Sequence, residues 1–354
     1  MKRLAWLACV ATACGGGGGE EGTPDSPGPD STIDPDGPVI GAGVYQETCD
    51  GSGGVAIDAE HFIDANDEDQ ILRVYQRGID AAPVQTFSAG PALGLGSGAE
   101  ADLEDLELVG TRMFAITSHG RKASGVLDRA RYKFAAFDVT GSVPSLDFTH
   151  VGTSNLLLDE MLDEDNWDSP NAGVISALTT SSKLGDNNEL ELAPEEMGTN
   201  IEAIVDDGQG HLLIGFRNPR PGSDAIVVSL ANADAAVTGT TARFAGATTL
   251  DLGGLGIRSM TRSAAHGVLV IAGPHDAGST FKLYRWSGVL AEAPVFLVDL
   301  AAPAMAAPET VVEYEDGSIQ VLFDEGDVPT DGTICKDLPA AQRKFHDTTV
   351  TVER

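Results

Sequence analysis

A strand–turn–strand unit that occurs four times constrains the fold of this chain more than any other feature. The clearest copy is Asn200–Pro219, NIEAIVDDGQGHLLIGFRNP, in which Glu202 opens an apolar strand and Leu212–Phe216 forms a second one. Three further copies have the lead residues Glu104, Ser259 and Glu309. The positions two, ten and twelve residues after each lead residue are apolar with a single exception, Thr261. Such self-similarity is typical of repeat architectures.

The strand content of each unit predicts a β-propeller. The first unit contains four short strands within forty residues: Val55–Ile57, His61–Ala65, Ile71–Tyr75 and Val84–Phe87. Four strands per 40–50 residues is the size of a propeller blade. We therefore predict an all-β fold, a β-propeller of five four-stranded blades, or six if the long gap between the first two copies holds another. A pair of β-sandwiches is the rival, but it would not explain the constant offsets.

The long gap between the copies led by Glu104 and Glu202 does not read as strands. Asn155–Glu164, NLLLDEMLDE, has a helical pattern. No strand-like pattern of apolar residues follows until Val174. We predict a partly helical insertion at about residues 152–199.

The N-terminus reads as an export signal. Lys2 and Arg3 precede a short apolar run, Leu4–Ala13, which is too short to cross a bilayer as a helix. The run ends in Ala-Thr-Ala-Cys14 and resembles a bacterial lipobox, which predicts a lipoprotein-type signal over residues 1–14 with Cys14 as the lipid anchor. The alternative is ordinary secretory cleavage near Ala13. Either route places the protein in the cell envelope or outside the cell, at the outer membrane, the periplasm or the cell surface.

Composition divides the remaining chain into a tether and a folded domain. Residues 15–44 are dominated by Gly, Pro, Asp and Ser, which predicts a disordered linker, and residues 45–354 form the propeller domain. The net charge of −32 argues against nucleic-acid partners. We expect a monomer that contacts the membrane only through its anchor.

Two further cysteines, Cys49 and Cys335, lie just inside the ends of the folded region. In an oxidising compartment they are expected to form a disulfide with each other. Because the first and last blades adjoin in a closed ring, this disulfide would pin the closure.

The blade layout predicts where polar groups converge. The inner strand of a blade and its neighbour run antiparallel, so the start of the first and the end of the second lie on one face beside the channel. The catalytic candidates at this mouth are Glu202, Glu104 and His119. The ligand-binding candidates are Glu309, Arg121, Arg217, Arg220, Arg258 and His275. Carboxylates and histidines can act as general acids or bases, and arginines bind phosphate or carboxylate.

The acidic run Asp64–Asp69 occupies the equivalent turn of the first blade, and Asp324 ends a second strand elsewhere. Oxygen ligands of this kind suit Ca²⁺, although the run lacks the glycine and spacing of an EF-hand loop. The metal candidates are Asp64, Asn66, Asp67 and Asp324.

Structural interpretations remain open for the same residues. A glutamate at the start of an inner strand can pair with an arginine of the next blade and so hold the ring closed. A histidine in a turn can bond to backbone.

Several motifs in order, SHGR, NIEAI…LLIGFRNP, GGLGIRSM and GPHD…FKLYRW, resemble those of a family of exported bacterial propellers of unknown function. More distantly, the Asn-x-Glu start is similar to propellers with phytase-like esterase activity. The second resemblance implies a phosphate- or ester-bearing substrate and bound calcium.

The function expected from the sequence is an exported, lipid-anchored propeller that binds a small polar ligand, anionic or calcium-bridged, at the channel mouth. An enzymatic form would hydrolyse an ester or phosphoester. The alternative is a non-catalytic surface scaffold whose glutamates only lock the blades together.

Overall fold

The computed structural model describes residues 39–96, 98–185 and 189–352 of the chain. Strand β1 is Val39–Gln46. Blade 1 contains β2 (Gly53–Ala56), β3 (His61–Ala65), β4 (Ile71–Gln76) and β5 (Gln85–Ser88). Blade 2 contains β6 (Leu103–Val109), β7 (Arg112–Thr117), β8 (Phe134–Ser142) and β9 (Ser145–Ser154). Blade 3 contains β10 (Asn200–Asp206), β11 (Leu212–Asn218), β12 (Ala225–Leu230) and β13 (Phe244–Leu250).

The last two blades complete the set. Blade 4 contains β14 (Gly256–Ser263), β15 (Gly267–Gly273), β16 (Phe281–Trp286) and β17 (Val295–Leu300). Blade 5 contains β18 (Ala307–Glu313), β19 (Ile319–Asp324), β22 (Lys344–Val350) and the N-terminal β1. A hairpin of β20 (Pro329–Thr330) and β21 (Thr333–Ile334) precedes β22.

The five sheets form a β-propeller, and the predicted architecture is confirmed with five blades. Every pairing within a blade is antiparallel. The first strands of the blades, β2, β6, β10, β14 and β18, contact one another in that order, and β18 returns to contact β2. Their apolar residues fill the seams between blades because a strand between two neighbouring sheets is buried on both faces.

The ring is closed by strands from both ends of the chain. Strand β1 pairs with β22, and β22 pairs with β19, so blade 5 takes its outermost strand from the N-terminal side. The predicted tether of residues 15–44 therefore extends too far, since Val39–Val44 already pairs within blade 5. The sequence did not predict this strand because the stretch is rich in glycine, which is uncommon within strands. The signal segment with Cys14 and the rest of the tether lie outside the described residues.

The predicted disulfide between Cys49 and Cys335 is confirmed, with the two Cα atoms 5.8 Å apart. Cys49 lies just before blade 1, and Cys335 lies in the loop of blade 5 between β21 and β22. The bond links the first blade to the last.

The partly helical insertion follows β9 and packs against blades 2 and 3. It contains α1 (Leu157–Met161) and α2 (Ala172–Ser182), and a third helix, α3 (Ala233–Val237), lies between β12 and β13. Leu157, Met161 and Leu178 are fully buried in one apolar cluster with residues of both blades. Among the described residues, none of the helices has the length and apolar character needed to cross a membrane.

Strand pairing corrects one detail of the sequence alignment. In β14, Arg258 and not Ser259 occupies the position of Glu202. The register shift that follows Ile201 in β10 follows Ile257 in β14, which leaves the next residue bulged in both strands.

Candidate functional site

A β-bulge near the start of an inner strand defines the mouth of the channel. In four blades one residue of the inner strand is skipped by the pairing with its neighbour, and bulges of this kind re-aim a side chain. The bulged residues are Glu104, Glu202, Arg258 and Glu309. Because the inner strands start beside the ends of the second strands, these side chains share one face of the disc, as the sequence predicts.

An ion array runs across three consecutive blades at this mouth. Arg217 Nη1 lies 2.7 Å from Glu202 Oε1, and Asn200 Nδ2 donates to the same oxygen at 2.6 Å. Arg258 Nε lies 3.2 Å from Glu202 Oε2 without an aligned hydrogen bond, and the Arg258 guanidinium also pairs with Glu309. Glu202 and Arg258 are both buried. Two of the three mouth glutamates are therefore held by arginines of adjacent strands and blades.

Glu104 differs from the other two glutamates. Within the described part of the chain its carboxylate has neither an ion pair nor a hydrogen bond, and the side chain is half-buried. Burial, with the nearby carboxylates of Asp102, Glu202 and Asp67, raises the pKa of Glu104 well above its ordinary value, and the charge of Arg217 opposes the shift. The group is poised to hold a proton beside an arginine.

Arg220 and His275 meet at the loops that follow β11 and β15. Arg220 Nη2 lies 2.8 Å from His275 Nδ1, so the guanidinium donates to a neutral imidazole. Burial and the charge of Arg220 lower the pKa of His275. The pair presents a cationic edge on the side of blades 3 and 4.

His119 and Arg121 follow β7, but both are fully buried and bonded to backbone. His119 Nδ1 lies 2.8 Å from the Thr117 carbonyl oxygen, and burial lowers the pKa of the imidazole to about 4. Arg121 donates to the carbonyl oxygen of Gly125 at 2.9 Å and to that of Lys183, at the end of α2, at 3.1 Å. These contacts favour the structural interpretation of both residues.

The opposite half of the mouth, at the seam between blades 5 and 1, is acidic. Asp50 forms an isolated antiparallel bridge with Asp324, and Asp67 accepts a hydrogen bond of 3.3 Å from Ser52 Oγ. Burial, followed by the charges of Asp324 and Asp67, raises the pKa of Asp50 well above its ordinary value.

Asn66 fixes the position of the Asp50 side chain in this half of the mouth. Its Nδ2 donates to Asp50 Oδ2 at 2.9 Å and to Thr48 Oγ1 at 2.5 Å. Its Oδ1 accepts from the backbone N–H groups of Glu68 and Asp69, at 2.8 and 2.9 Å. In this orientation Asn66 offers no oxygen to a cation and instead orients Asp50.

Asp64 lies below the acidic mouth, opposite Arg73 on the adjacent strand. Its side chain is fully buried, and neither carboxylate oxygen has a hydrogen-bond partner among the described residues. Burial raises the pKa of Asp64 well above its ordinary value, and the charge of Arg73 opposes the shift.

No three His, Cys, Asp or Glu side chains in residues 39–96, 98–185 and 189–352 stand together in a geometry that could hold a metal ion. The four metal candidates are thus neighbours but not a preformed set, and calcium stays a prediction.

Sequence reasoning missed Asp50 and a second class of residue, the one that follows the bulge. Asp105 Oδ2 accepts from the Ile204 N–H at 2.8 Å, and Ser259 Oγ accepts from the Val311 N–H at 3.1 Å. Each bond joins one inner strand to the next. The signal was a polar residue directly after the bulged position of an inner strand.

Comparison with curated proteins found no match. Among solved structures, the chain is similar to glutaminyl cyclase of Myxococcus xanthus, with 12% identity, a TM-score of 0.43, and coverage of 88% of this chain and 95% of that one. It is also similar to a putative oxidoreductase (glucose dehydrogenase) of Thermus thermophilus, with 9% identity, a TM-score of 0.44, and coverage of 89% and 100%. A third is the PQQ-bound aldose sugar dehydrogenase of Streptomyces coelicolor, with 10% identity, a TM-score of 0.40, and coverage of 89% and 99%.

The family comparison gives a direct assignment. A family model described as a protein of unknown function, DUF3616, matches residues 162–353. This range covers more than half of the chain and includes the ion array, the insertion helix α2 and the closing strand β22. The chain belongs to the DUF3616 family of proteins of unknown function.

Proposed function

We propose that this protein is an exported, lipid-anchored propeller that binds a small polar ligand carrying an anionic group at its channel mouth and hydrolyses an ester or phosphoester there. The observation that carries the proposal is the contrast between Glu104, which has no partner among the described residues, and the paired Glu202 and Glu309. A carboxyl group without a structural partner at a polar mouth is a candidate for acid–base chemistry.

The arginine side of the mouth suits the anionic part of such a ligand. Arg217 is partly exposed while it pairs with Glu202, and Arg220 lies nearby with His275. Arg217 is also close enough to Glu104 to oppose the rise of its pKa. An ester phosphate or carboxylate held by these cations would bring its scissile bond toward the Glu104 carboxyl.

In this scheme Glu104 starts protonated. As water attacks the ester carbon or phosphorus, the Glu104 carboxyl gives its proton to the leaving alcohol oxygen. The carboxylate then takes a proton from the attacking water, which restores the starting state. Arg217 stabilises the negative charge that develops on the attacked group.

A pair of isosteric variants tests this scheme, with p-nitrophenyl phosphate and p-nitrophenyl acetate as probes. Glu104→Gln should lower hydrolysis of the productive probe by at least about 100-fold, because a positioned acid–base group contributes about 10²–10⁴-fold. Its melting temperature should stay within a few degrees of the wild type, since no ion pair is lost. A Glu104→Gln variant with the wild-type rate, or a wild type that cleaves neither probe, would refute hydrolysis at this site.

A second candidate, a non-catalytic scaffold, is favoured by one observation: Arg258 joins Glu202 of blade 3 to Glu309 of blade 5. In that case the mouth charges only fasten blades. Glu202→Gln leaves Arg217 and Arg258 short of a carboxylate, and the free energy of unfolding in urea should fall by roughly 3 kcal/mol. A scaffold predicts this loss together with no hydrolysis of either probe by the wild type or by Glu104→Gln.

Export and anchoring have their own support and test. A disulfide between the first and last blades fits an oxidising compartment. Metabolic labelling with a fatty acid should modify the wild type and leave Cys14→Ser unlabelled. Labelling that persists in Cys14→Ser would contradict the predicted anchor.

A further inference from the structure

We propose that the acidic seam between blades 5 and 1 is a divalent-cation site in which Asp50 and Asp324 bind one Ca²⁺ ion over Gly326. The inference goes beyond the proposed hydrolysis, because the ion would tie the first blade to the last whether or not the mouth turns over a substrate.

The two carboxylates converge beside Gly326. Asp50 pairs with Asp324 as an isolated bridge across the seam. A side-chain carbon placed on Gly326 would lie 2.8 Å from Asp50 Oδ1 and 3.2 Å from Asp324 Oδ1. Glycine at residue 326 therefore lets the two oxygens converge across a narrow gap, and Asp324 Oδ1 also accepts a hydrogen bond of 2.7 Å from the Gly326 N–H.

One of these oxygens has an unmet requirement. Asp50 is only 3% exposed, and its Oδ1 has no hydrogen-bond partner among the described residues. Its Oδ2, in contrast, accepts from Asn66 Nδ2, and Asn66 is itself fixed by two backbone N–H groups. Because Asn66 holds Asp50 Oδ2, Asp50 Oδ1 is directed at the gap. A buried carboxylate oxygen there needs a hydrogen-bond donor or a cation.

The seam has more negative than positive charge. Asp67 lies close to both members of this pair and also to the fully buried Asp64, whose two carboxylate oxygens lack partners in the described chain. The nearby cations are already engaged, since Arg73 binds both oxygens of Asp69, at 3.0 and 2.7 Å, and Lys336 lies 2.6 Å from Asp327. Buried charges that lack partners are costly, so a cation at the gap would be strongly favoured.

The chemistry of the donors selects the type of ion. They are oxygens only, which a hard cation such as Ca²⁺ prefers. Two protein carboxylates leave coordination positions for water, with Asp67 close enough to bind through one. Ca²⁺ accepts six to eight oxygens in flexible geometry, whereas Mg²⁺ demands a near-ideal octahedron. The irregular seam therefore fits Ca²⁺ better than Mg²⁺.

The test titrates CaCl₂ into the disulfide-bonded, EGTA-stripped protein by calorimetry, with no organic ligand present. We expect one ion per chain, a melting temperature that rises by several degrees as Ca²⁺ saturates the site, and weaker binding of Mg²⁺. Asp324→Asn and Asp50→Asn should each weaken Ca²⁺ binding at least 10-fold. Asp276→Asn is the matched control, because it removes the same charge from an exposed position on the same face.

Four results would overturn the inference: no heat and no thermal shift with the wild type, unchanged binding in both Asp50→Asn and Asp324→Asn, equal weakening in Asp276→Asn, or a stoichiometry well above one. Circular dichroism confirms that each variant is folded, and Asp324→Asn suffices if Asp50→Asn does not fold. Glu104→Gln should retain Ca²⁺ binding, so a failure of the ion site and a failure of the proposed hydrolysis give different results.

Discussion

His119 and His275 lie at equivalent ends of their strands, yet their surroundings give them different roles. His119 is fully buried, bonded to the Thr117 carbonyl, and its ring lies edge-on to Tyr132 at 5.6 Å between centroids. His275 is half-buried and accepts a hydrogen bond from Arg220 at the mouth. A turn histidine with these flanking residues looks the same in sequence, because exposure is set by what packs over the turn. Here the partly helical insertion packs against the turn that contains His119, with Pro194 and Thr199 beside Gly120.

The burial of His119 predicts a measurable dependence of stability on pH. Its pKa is about 4 in the folded protein and about 6.5 when unfolded, so the unfolded state binds more protons between these values and stability falls as pH falls. From pH 7.5 to pH 5 this group should cost about 2 kcal/mol. Urea denaturation at both pH values, for the wild type and His119→Asn, measures it.

The variant isolates this effect from the buried carboxylates, whose raised pKa values act in the opposite direction. Asn also tolerates the positive φ of 48° at this position. An identical pH dependence of the wild type and His119→Asn would contradict the assigned pKa shift.

At the scale of elements, inner strands are joined by side chains that accept backbone hydrogen bonds across the seam. Asp105 is 1% exposed and accepts from two N–H groups, that of Leu106 at 2.9 Å and that of Ile204 in the next blade at 2.8 Å. Ser259 makes a single bond of this kind to Val311. Strands buried on both faces cannot satisfy stray N–H groups with water, so polar side chains are placed where the bulge interrupts the ladder.

This arrangement predicts unequal costs for two equivalent substitutions. Asp105→Ala leaves two buried N–H groups without an acceptor and should lower the free energy of unfolding by roughly 2–4 kcal/mol. Ser259→Ala, the matched position of blade 4, removes one bond and should cost about 1 kcal/mol. Urea unfolding compares the two variants. An equal loss of unfolding free energy in both would show that the second hydrogen bond of Asp105 does not contribute to stability.

At the scale of the whole molecule, the contacts that close the ring lie at one seam, between blades 5 and 1. Blades 5 and 1 are joined by β1, by the Cys49–Cys335 disulfide, and by the Thr310 hydroxyl, which donates to the Gly51 carbonyl at 2.6 Å. The other seams join blades that are consecutive in sequence and need no such fastening. This seam also contains the acidic pair to which we assign a cation.

Loss of the disulfide should therefore destabilise the ring as a unit. The bond spans 286 residues, and by the chain-entropy model its removal costs on the order of 4 kcal/mol. Cys49→Ser/Cys335→Ser should shift the urea midpoint of every blade probe together, with the reduced wild type as control. A change confined to the residues near Cys335 would indicate that β1 and β22 close the ring without the disulfide.

The sequence alone determines the class of fold, the number of strands per unit and the cysteine pair. These follow from local information: apolar runs of strand length, turn residues between them, and two cysteines at the ends of the domain. The repeat also placed Glu202 and Arg217 on one face, because antiparallel neighbours have fixed relative directions.

The tertiary structure alone decided the register, the closing strand and the charge partners. Most of β14 is buried on both faces, so burial does not distinguish one register from a register shifted by one residue, and Ser259 was aligned where Arg258 belongs. The same shift hid Arg258 as the link between Glu202 and Glu309. The partner of a charged group depends on which blades adjoin, which is a property of the closed ring. For that reason Glu104, which leads its sequence unit as Glu202 does, proved to be the glutamate that the ion array does not hold.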